Sequence, residues 1–254
     1  MAIYIIGRRP SKSILSIVKK AEIPRYSGKK ADANLLINYG LAGDRLEGYY
    51  RKFPSARKIP TINKHVGYSK LSALRRVSEG GIVVPESKTR LTRSDKPADF
   101  IEKRLRSVGG FGIKKASGKK PIAGKYYQLF IKNRIYELRV HTFRWIDIKE
   151  WVVQKRVGPS DSIAWNFKQG GSFITIHNPR SYKIFRKAQE LSSEVLDILN
   201  MSFGAVDFIV DENHEIYFIE INSAPGFTEL SEHIYVDAFD RLKKLKKKEI
   251  SSLI

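Results

Sequence analysis

Phe203-Gly204-Ala205-Val206-Asp207-Phe208-Ile209-Val210, a turn around Asp211-Glu212-Asn213-His214, and then Glu215-Ile216-Tyr217-Phe218-Ile219-Glu220-Ile221-Asn222-Ser223-Ala224-Pro225-Gly226-Phe227 is the stretch that decides the fold. Its two apolar runs, Gly204 to Val210 and Glu215 to Ile221, read as the strands of a hairpin. Asp207, Glu220 and Asn222 interrupt them, and polar groups in such runs need a reason. Side chains two apart on a strand share a face, so Glu220 and Asn222 point the same way. A turn of two or four residues sets Asp207 opposite Phe218 and diagonal to Glu220, about 7–8 Å away, which brings all three onto one face. Hard oxygen donors without His or Cys suit Mg²⁺, which takes one or two carboxylates plus substrate phosphates. The plainer alternative is a pair of half-exposed strand charges, and geometry alone leaves both open.

The surrounding pattern supplies the rest of a mixed protein. Ile3 to Ile6 and Asn34 to Tyr39 read as short buried strands, with a helix between them from Ser13 to Lys20 begun by a Ser cap. Tyr68 to Val77 has helical spacing, ended by Gly80-Gly81 before a strand at Ile82-Val83-Val84-Pro85. Tyr126 to Ile131 and Ile135 to Phe143 flank Lys132-Asn133-Arg134 and suggest a hairpin, with Glu137, Arg139 and His141 on one face and Leu138 and Val140 on the other. A strand at Trp151 to Val157 follows. Pro179, with Ser181 as cap, opens a helix whose Ile184, Ala188, Leu191, Val195 and Leu199 form one stripe. A last amphipathic helix spans 232–248, its C-terminal lysines matched to the helix dipole. There is no internal repeat.

The hairpin and its Asn-x-x-Pro-Gly tail resemble the C-terminal signature of the ATP-grasp superfamily. The closer likeness is to its ribosomal-protein glutamate ligase and D-alanine:D-alanine ligase branches. That resemblance implies that Asp207, Glu220 and Asn222 hold two Mg²⁺ ions on the ATP phosphates. Phe100-Ile101-Glu102-Lys103 and Gly109-Gly110-Phe111-Gly112-Ile113 resemble the nucleotide-contacting strand and the glycine loop over the phosphates, which implies ATP-binding roles for Lys103, Gly109, Gly110 and Gly112. Tyr127-Gln128-Leu129-Phe130-Ile131 resembles the adenine segment between the lobes. Gln128 stands there where an acidic residue is common, and Leu129 or Phe130 would contact the base through the backbone. Lys70 falls in the helix that precedes the Val-Pro segment. Tyr136-Glu137-Leu138-Arg139-Val140 matches the Arg-Val strand, putting Arg139 near the transferred phosphate. Val153-Gln154-Lys155-Arg156 and Trp165-Asn166-Phe167-Lys168-Gln169-Gly170-Gly171 resemble the ligase segment ending in Asn-x-x-x-Gly-Gly, which implies Arg156 and Asn166 beside phosphates and acyl substrate.

The implied fold class is α+β, an ATP-grasp fold in which two α/β lobes clasp ATP behind a small basic N-terminal α/β segment. The expected boundaries are 1–60 for the segment and 61–254 for the ATP-grasp domain, divided into a first lobe at 61–131 and a second at 132–254. The implied chemistry is an ATP-dependent ligase that converts a carboxylate to an acylphosphate for attack by an amine. Such chemistry needs positioning and charge neutralisation more than a protein nucleophile. His141 and His177 are general bases by type only, and a structural role fits each better.

Composition bounds the partners. The 254 residues contain no Cys, which excludes disulfide scaffolds, thiolate metal sites and a cysteine nucleophile and points to the cytoplasm. No uncharged apolar run is long enough for a membrane span. The net charge is +21, and residues 1–130 hold 29 Lys and Arg against 9 Asp and Glu, while residues 131–254 hold 18 against 17. A field so one-sided attracts polyanions. The excess in residues 1–60 and in the basic loop from Lys114 to Lys125 is more than one ATP requires, so the expected acceptor is a large anion: an acidic peptide or protein tail, or nucleic acid. A nucleic-acid-binding protein, or an enzyme of end joining or phosphoryl transfer on the same scaffold, is the alternative.

Overall fold

The computed structural model describes residues 1–7, 11–28, 32–64, 66–106, 112–159, 162–163, 165, 171–227 and 231–254. In chain order the elements are β1 (Ile3–Gly7), α1 (Lys12–Lys20), β2 (Leu35–Tyr39), α2 (Asp44–Lys52), β3 (Thr61–Ile62), α3 (Lys70–Glu79), β4 (Ser87–Lys88), β5 (Phe100–Arg104), β6 (Lys114–Lys115), β7 (Lys125–Leu129), β8 (Arg134–Phe143), β9 (Val153–Val157), β10 (Ser172–Thr175), α4 (Lys183–Ile198), β11 (Phe203–Asp211), β12 (Ile216–Asn222), α5 (Glu232–Lys244) and α6 (Lys247–Ser251). They build three sheets, in the orders β1-β2-β3, β4-β7-β5-β6 and β10-β9-β8-β11-β12. Mixed helix and sheet in this arrangement is the α+β class expected.

The N-terminal sheet is parallel and buried on both faces, as parallel sheets are. Ile3 and Ile5 face a cluster shared with Ile14 and Ile17 of α1 and with Tyr235, Phe239 and Leu242 of α5. Tyr4 and Ile6 face α2 through Leu46 and Tyr50. The basic first segment and the chain's last helices therefore share one core. Asn63 fastens this unit to β11: its Oδ1 accepts from the Ser202 N–H at 2.7 Å and its Nδ2 donates to the Phe203 carbonyl at 2.9 Å, all buried.

The five-stranded antiparallel sheet carries α4 on one face. Phe185, Ala188, Leu191, Val195 and Leu196 of the helix meet Leu138, Val140, Val206, Phe208 and Phe218 of the strands. Each such buried Val, Leu or Phe side chain contributes about 1.5–3 kcal/mol. The opposite face carries Glu137, Arg139 and His141, so the alternation read in β8 holds.

Four expectations about which elements form and which strands pair change, and a fifth concerns register. β7 and β8 are not a hairpin: β7 pairs with β5 and β4, whereas β8 pairs with β9 and β11. The Lys132-Asn133-Arg134 link crosses between sheets, with Lys132 bound to Asp99 and Asn133 donating to Glu212. Residues 82–85 form no strand; the segment runs beside β12, and the Val83 carbonyl accepts from the Phe218 N–H at 2.9 Å. Ser181 caps no helix, because Pro179–Ser181 is a single 3₁₀ turn and Tyr182 is the N-cap of α4. The C-terminal helix breaks at Leu245-Lys246 into α5 and α6.

The decisive hairpin has a register of its own. Val210 pairs with Ile216 and Phe208 with Phe218, but Asp207 pairs with Glu220, with a bulge between. Asp207 is thus opposite Glu220, not Phe218. The turn is longer than expected by one residue, which alone would put Ile219 across from Asp207 and send Glu220 and Asn222 to the α4 face. The bulge absorbs Ile219 and returns both to the face of Asp207, the re-aiming that bulges perform near functional sites.

Candidate active site

The open face of the five-stranded sheet carries one unbroken row of cross-strand partners: Thr175 on β10, Gln154 on β9, Arg139 on β8, Asp207 on β11 and Glu220 on β12. At about 4.8 Å per strand the row is about 19 Å long. Its acidic end is made of Asp207 and Glu220, its centre is Arg139, and its far end is neutral.

Arg139 grips Asp207 with two parallel bonds, Nε to Oδ1 and Nη2 to Oδ2, each 2.7 Å. Burial pushes the Asp207 carboxyl up, but the Arg139 guanidinium outweighs it and holds the group below the usual carboxylate range. The same pairing raises Arg139 above its ordinary value despite burial. Glu220 forms an ion pair with Lys70, the first residue of α3, and accepts from Asn222 Nδ2 at 3.5 Å. Ser69 caps α3 by accepting from the Ser72 N–H, which fixes the turn that aims Lys70.

One strand rung away, Glu137 is nearly enclosed between two guanidinium groups. Arg156 Nη1 donates to it at 2.7 Å and Arg134 Nη1 at 3.0 Å. Burial raises its pKa against the pull of those two cations. Arg156 also lies 3.9 Å from Asp207, and both Arg139 and Arg156 stack toward the Phe173 ring.

The four-stranded sheet faces this row with Lys103. It is 5% exposed, and its Nζ donates to Gln128 Oε1 at 2.8 Å. Burial pushes the Lys103 ammonium down to about 8, with Glu220, Glu137 and Asp207 pulling it up and Lys70 pushing it further down. Gln128 in turn donates to Ser87 at 3.2 Å. The N–H groups of Leu129 and Phe130 donate to the carbonyls of Glu86 and Asp99. Gly112 has φ +79°, where only glycine is unstrained, and a Cβ there would strike the Arg104 side chain. Gly109, Gly110 and Asn166 lie outside the described residues.

Of the residues singled out from sequence, Lys70, Lys103, Gln128, Arg139, Arg156, Asp207, Glu220 and Asn222 converge between the two sheets. Leu129 and Phe130 sit where the chain passes from one sheet to the other, and Gly112 sits at the edge of the smaller sheet. Glu137, Gln154 and Thr175 were missed. Their signal was present for the first two, since each stands two residues from an arginine on the same strand face. Thr175 carried none, because only the pairing of β10 with β9 brings it into the row.

His141 is a structural group. Tyr235 Oη lies 2.9 Å from its Nδ1 and Gln154 Oε1 lies 3.0 Å from its Nε2, and burial holds it down to about 4, so it is neutral.

The donor set fits Mg²⁺. Two facing carboxylates and the free oxygen of the Asn222 amide are hard ligands, and both carboxylates already hold cations of the chain itself. Among the described residues no cluster of three or more His, Cys, Asp or Glu side chains exists. A metal here would depend on phosphate and water oxygens for its remaining positions, which is the habit of Mg²⁺ rather than of a fully caged ion.

Two sheets that face each other across a strip of paired carboxylates, lysine and arginine are the arrangement of the ATP-grasp fold. Comparison with known proteins agrees. Residues 159–241 match the family described as D-ala D-ala ligase C-terminus. A stretch of 50 residues is 40% identical to the D-alanine--D-alanine ligase of Aquifex aeolicus (strain VF5), covering 19% of this chain and 17% of that protein, so the match spans about one sixth of the relative. The D-alanine--D-alanine ligase of Bacillus anthracis complexed with ATP superposes with a TM-score of 0.64 at 13% identity, over 99% of this chain and 97% of that one. The ATP-grasp ligase PsnB complexed with a minimal precursor gives 0.64 at 13% identity over 94% and 98%. PsnB with precursor peptide PsnA2 and AMPPNP gives 0.60 at 12% identity over 94% and 96%. No helix among the described residues is long and apolar enough to cross a membrane.

Proposed function

We propose that this protein is a cytoplasmic ATP- and Mg²⁺-dependent ligase that activates a carboxylate and joins it to an amine, with an acidic peptide or protein segment as its large substrate. The observation that carries the reading is the row from Glu220 through Asp207 to Arg139, facing buried Lys103 across the cleft. With Gln154 and Thr175 beyond it, the strip runs about 19 Å from an acidic end through a central arginine to a neutral end, long enough for a triphosphate and an acceptor end to end.

In this reading residues 61–254 form the ATP-binding unit, with lobes at 61–131 and 132–254. Lys103 and Lys70 bind phosphate oxygens, Gly109, Gly110 and Gly112 cover them, and the Gln128 to Phe130 segment borders the base. Asp207, Glu220 and Asn222 would hold two Mg²⁺ ions, which would neutralise charge on the phosphates. A substrate carboxylate oxygen attacks the γ-phosphorus, the bond to the β-phosphate oxygen breaks, and ADP leaves. Arg139 orients the transferred phosphoryl group, and Arg156 and Asn166 steady the acyl end. The amine then attacks the acyl carbon, the carbon–oxygen bond to phosphate breaks, and phosphate leaves while the nitrogen loses a proton. Preorganised cations aimed at developing negative charge are worth several kcal/mol in such a site. The acidic acceptor is supported by the +21 net charge concentrated in the first 130 residues, and by a peptide precursor as the partner of PsnB.

Glu220→Gln and Asp207→Asn should each abolish Mg²⁺-dependent ADP release stimulated by acidic peptides while leaving the circular dichroism spectrum unchanged. Each substitution also takes the counter-charge from a cation of the chain, Lys70 for Glu220 and Arg139 for Asp207, so the two variants are read together. Turnover at the wild-type rate in both variants would sink the proposal. Mass analysis of the acceptor should find the loss of one water per bond formed; addition of phosphate instead would make the protein a phosphoryl transferase.

A further inference from the structure

The neutral end of the row has polar atoms that nothing among the described residues satisfies. Gln154 Nε2, Arg156 Nε and Thr175 Oγ1 are each buried without a hydrogen-bond partner among the described residues. Gln154 pairs with Thr175 across β9 and β10, and Arg156 is two residues along the same strand, so the three groups share the site face. An unmade hydrogen bond at a buried donor is costly, and three on one face point to an acceptor that arrives from outside.

The orientation of Gln154 is itself fixed. If Tyr235 donates its hydroxyl proton to His141 Nδ1, then His141 Nε2–H donates to Gln154 Oε1, and every member of the relay has a partner. The reverse assignment leaves the Tyr235 proton with no acceptor among the described residues. The relay therefore turns both Gln154 N–H bonds away from His141 and toward the open end of the row.

We propose that Gln154 Nε2, Thr175 Oγ1 and Arg156 Nε form the seat of the carboxylate that this ligase activates. The assignment rests on the ligase reading above. Its chemistry is that of the groups present: two amide N–H bonds, one guanidinium N–H and one hydroxyl offer four donors, and a carboxylate presents about four lone-pair directions. Position agrees, because Gln154 is one strand, about 4.8 Å, from Arg139. A carboxylate held there lies next to the phosphoryl group that Arg139 orients, which in-line attack requires. Tyr235 and His141 act through Gln154 and are positioning residues.

The test uses the full chain with MgAMPPNP and glutarate as a plain dicarboxylate probe, followed by calorimetry and by the ¹⁵N side-chain amide signal of Gln154. Glutarate should bind in the presence of MgAMPPNP and shift that amide pair. Gln154→Leu and Thr175→Val should each weaken glutarate about tenfold, Thr175→Ser should restore it, and MgAMPPNP affinity should stay within about twofold throughout, since a single hydrogen bond to a charged group is at stake. Equal glutarate affinity in wild type and both variants overturns the seat. So does a Gln154 amide that responds to inorganic phosphate and not to glutarate. Wild-type protein that binds MgAMPPNP but no glutarate refutes the seat alone, whereas failure to bind MgAMPPNP refutes the ligase reading itself.

Discussion

Replacing Gln128 by Glu should move the pH at which nucleotide binding fails. Lys103 is buried against a neutral amide oxygen at 2.8 Å, and burial lowers it from 10.5 to about 8. At about 1.4 kcal/mol per unit, that displacement is a penalty of roughly 3 kcal/mol on the charged form. A carboxylate in place of the amide, about 3 Å from the ammonium, adds an attraction of about 5 kcal/mol at an effective dielectric of about 20. Desolvation of the new carboxylate offsets part of this, and a rise of at least about one unit in the Lys103 pKa remains. The assay is MgAMPPNP affinity by calorimetry from about pH 7 to about pH 10. In the wild type the dissociation constant should be flat below about pH 8 and weaken up to about tenfold per unit above it, as the ammonium that meets the phosphates is lost. In Gln128→Glu the break should move toward the ordinary lysine value. Stability provides an internal control of opposite sign. Between about pH 8 and 10.5 the unfolded chain binds more protons at this lysine than the folded one, so this group's contribution to folding stability rises with pH while affinity falls. Loss of affinity in that window therefore does not come from the titration of Lys103 unfolding the protein. A wild-type affinity that is flat to pH 10, or a Gln128→Glu break at the wild-type pH, would refute the reasoning.

Two further expectations concern how the N-terminal unit holds the site. Asn63→Ala removes three buried hydrogen bonds at the start of β11 and should cost about 2–3 kcal/mol in chemical denaturation, with Asn63→Asp recovering little because it cannot donate to the Phe203 carbonyl; a loss under about 0.5 kcal/mol would show that the clasp is not needed. Gly40 has φ +83°, and a Cβ there would lie 2.5 Å from the Ala224 side chain, in the loop that follows Asn222. Gly40→Ala should weaken MgAMPPNP binding, and Ala224→Gly in the same chain should recover part of it by relieving the overlap; no recovery in the double variant would mean that backbone strain at residue 40, not the contact, is the cause.

What the sequence made legible was everything carried by periodicity and residue type. Strands β11 and β12, the two faces of β8, the stripe of α4 and the oxygen donors at Asp207, Glu220 and Asn222 all follow from spacing. Register was not legible, because it depends on turn length and on one bulge at Ile219, and neither leaves a mark in a run of apolar residues. Sheet membership was also hidden. β7 and β8 are separated by the same few polar residues a hairpin would have, and only the partners of Lys132 and Asn133 reveal that the chain changes sheets there. Part of the basic excess also has partners within the protein. Lys114 and Lys125, at the ends of the basic loop, both pair with the buried carboxylate of Glu102, and Lys88 pairs with Asp95 and Glu86.

The two carboxylates read as metal ligands each already hold a cation of the chain, Arg139 on Asp207 and Lys70 on Glu220. A carboxylate presents about four lone-pair directions, so a divalent ion here would either share the oxygens with these side chains or displace them. Displacing Arg139 without compensation would leave a buried guanidinium unpaired, at a cost of about 3–5 kcal/mol. In the proposed function a triphosphate would offset that cost, because its oxygens would be second partners for both cations. The carboxylates would then pass from side-chain cations to Mg²⁺ as those cations pass to phosphate. Where metal and nucleotide favour each other in this way, linkage requires each to raise the affinity for the other by the same factor. The ion pairs in the row would on that reading hold the arginine and the lysine close to where the phosphates are proposed to bind.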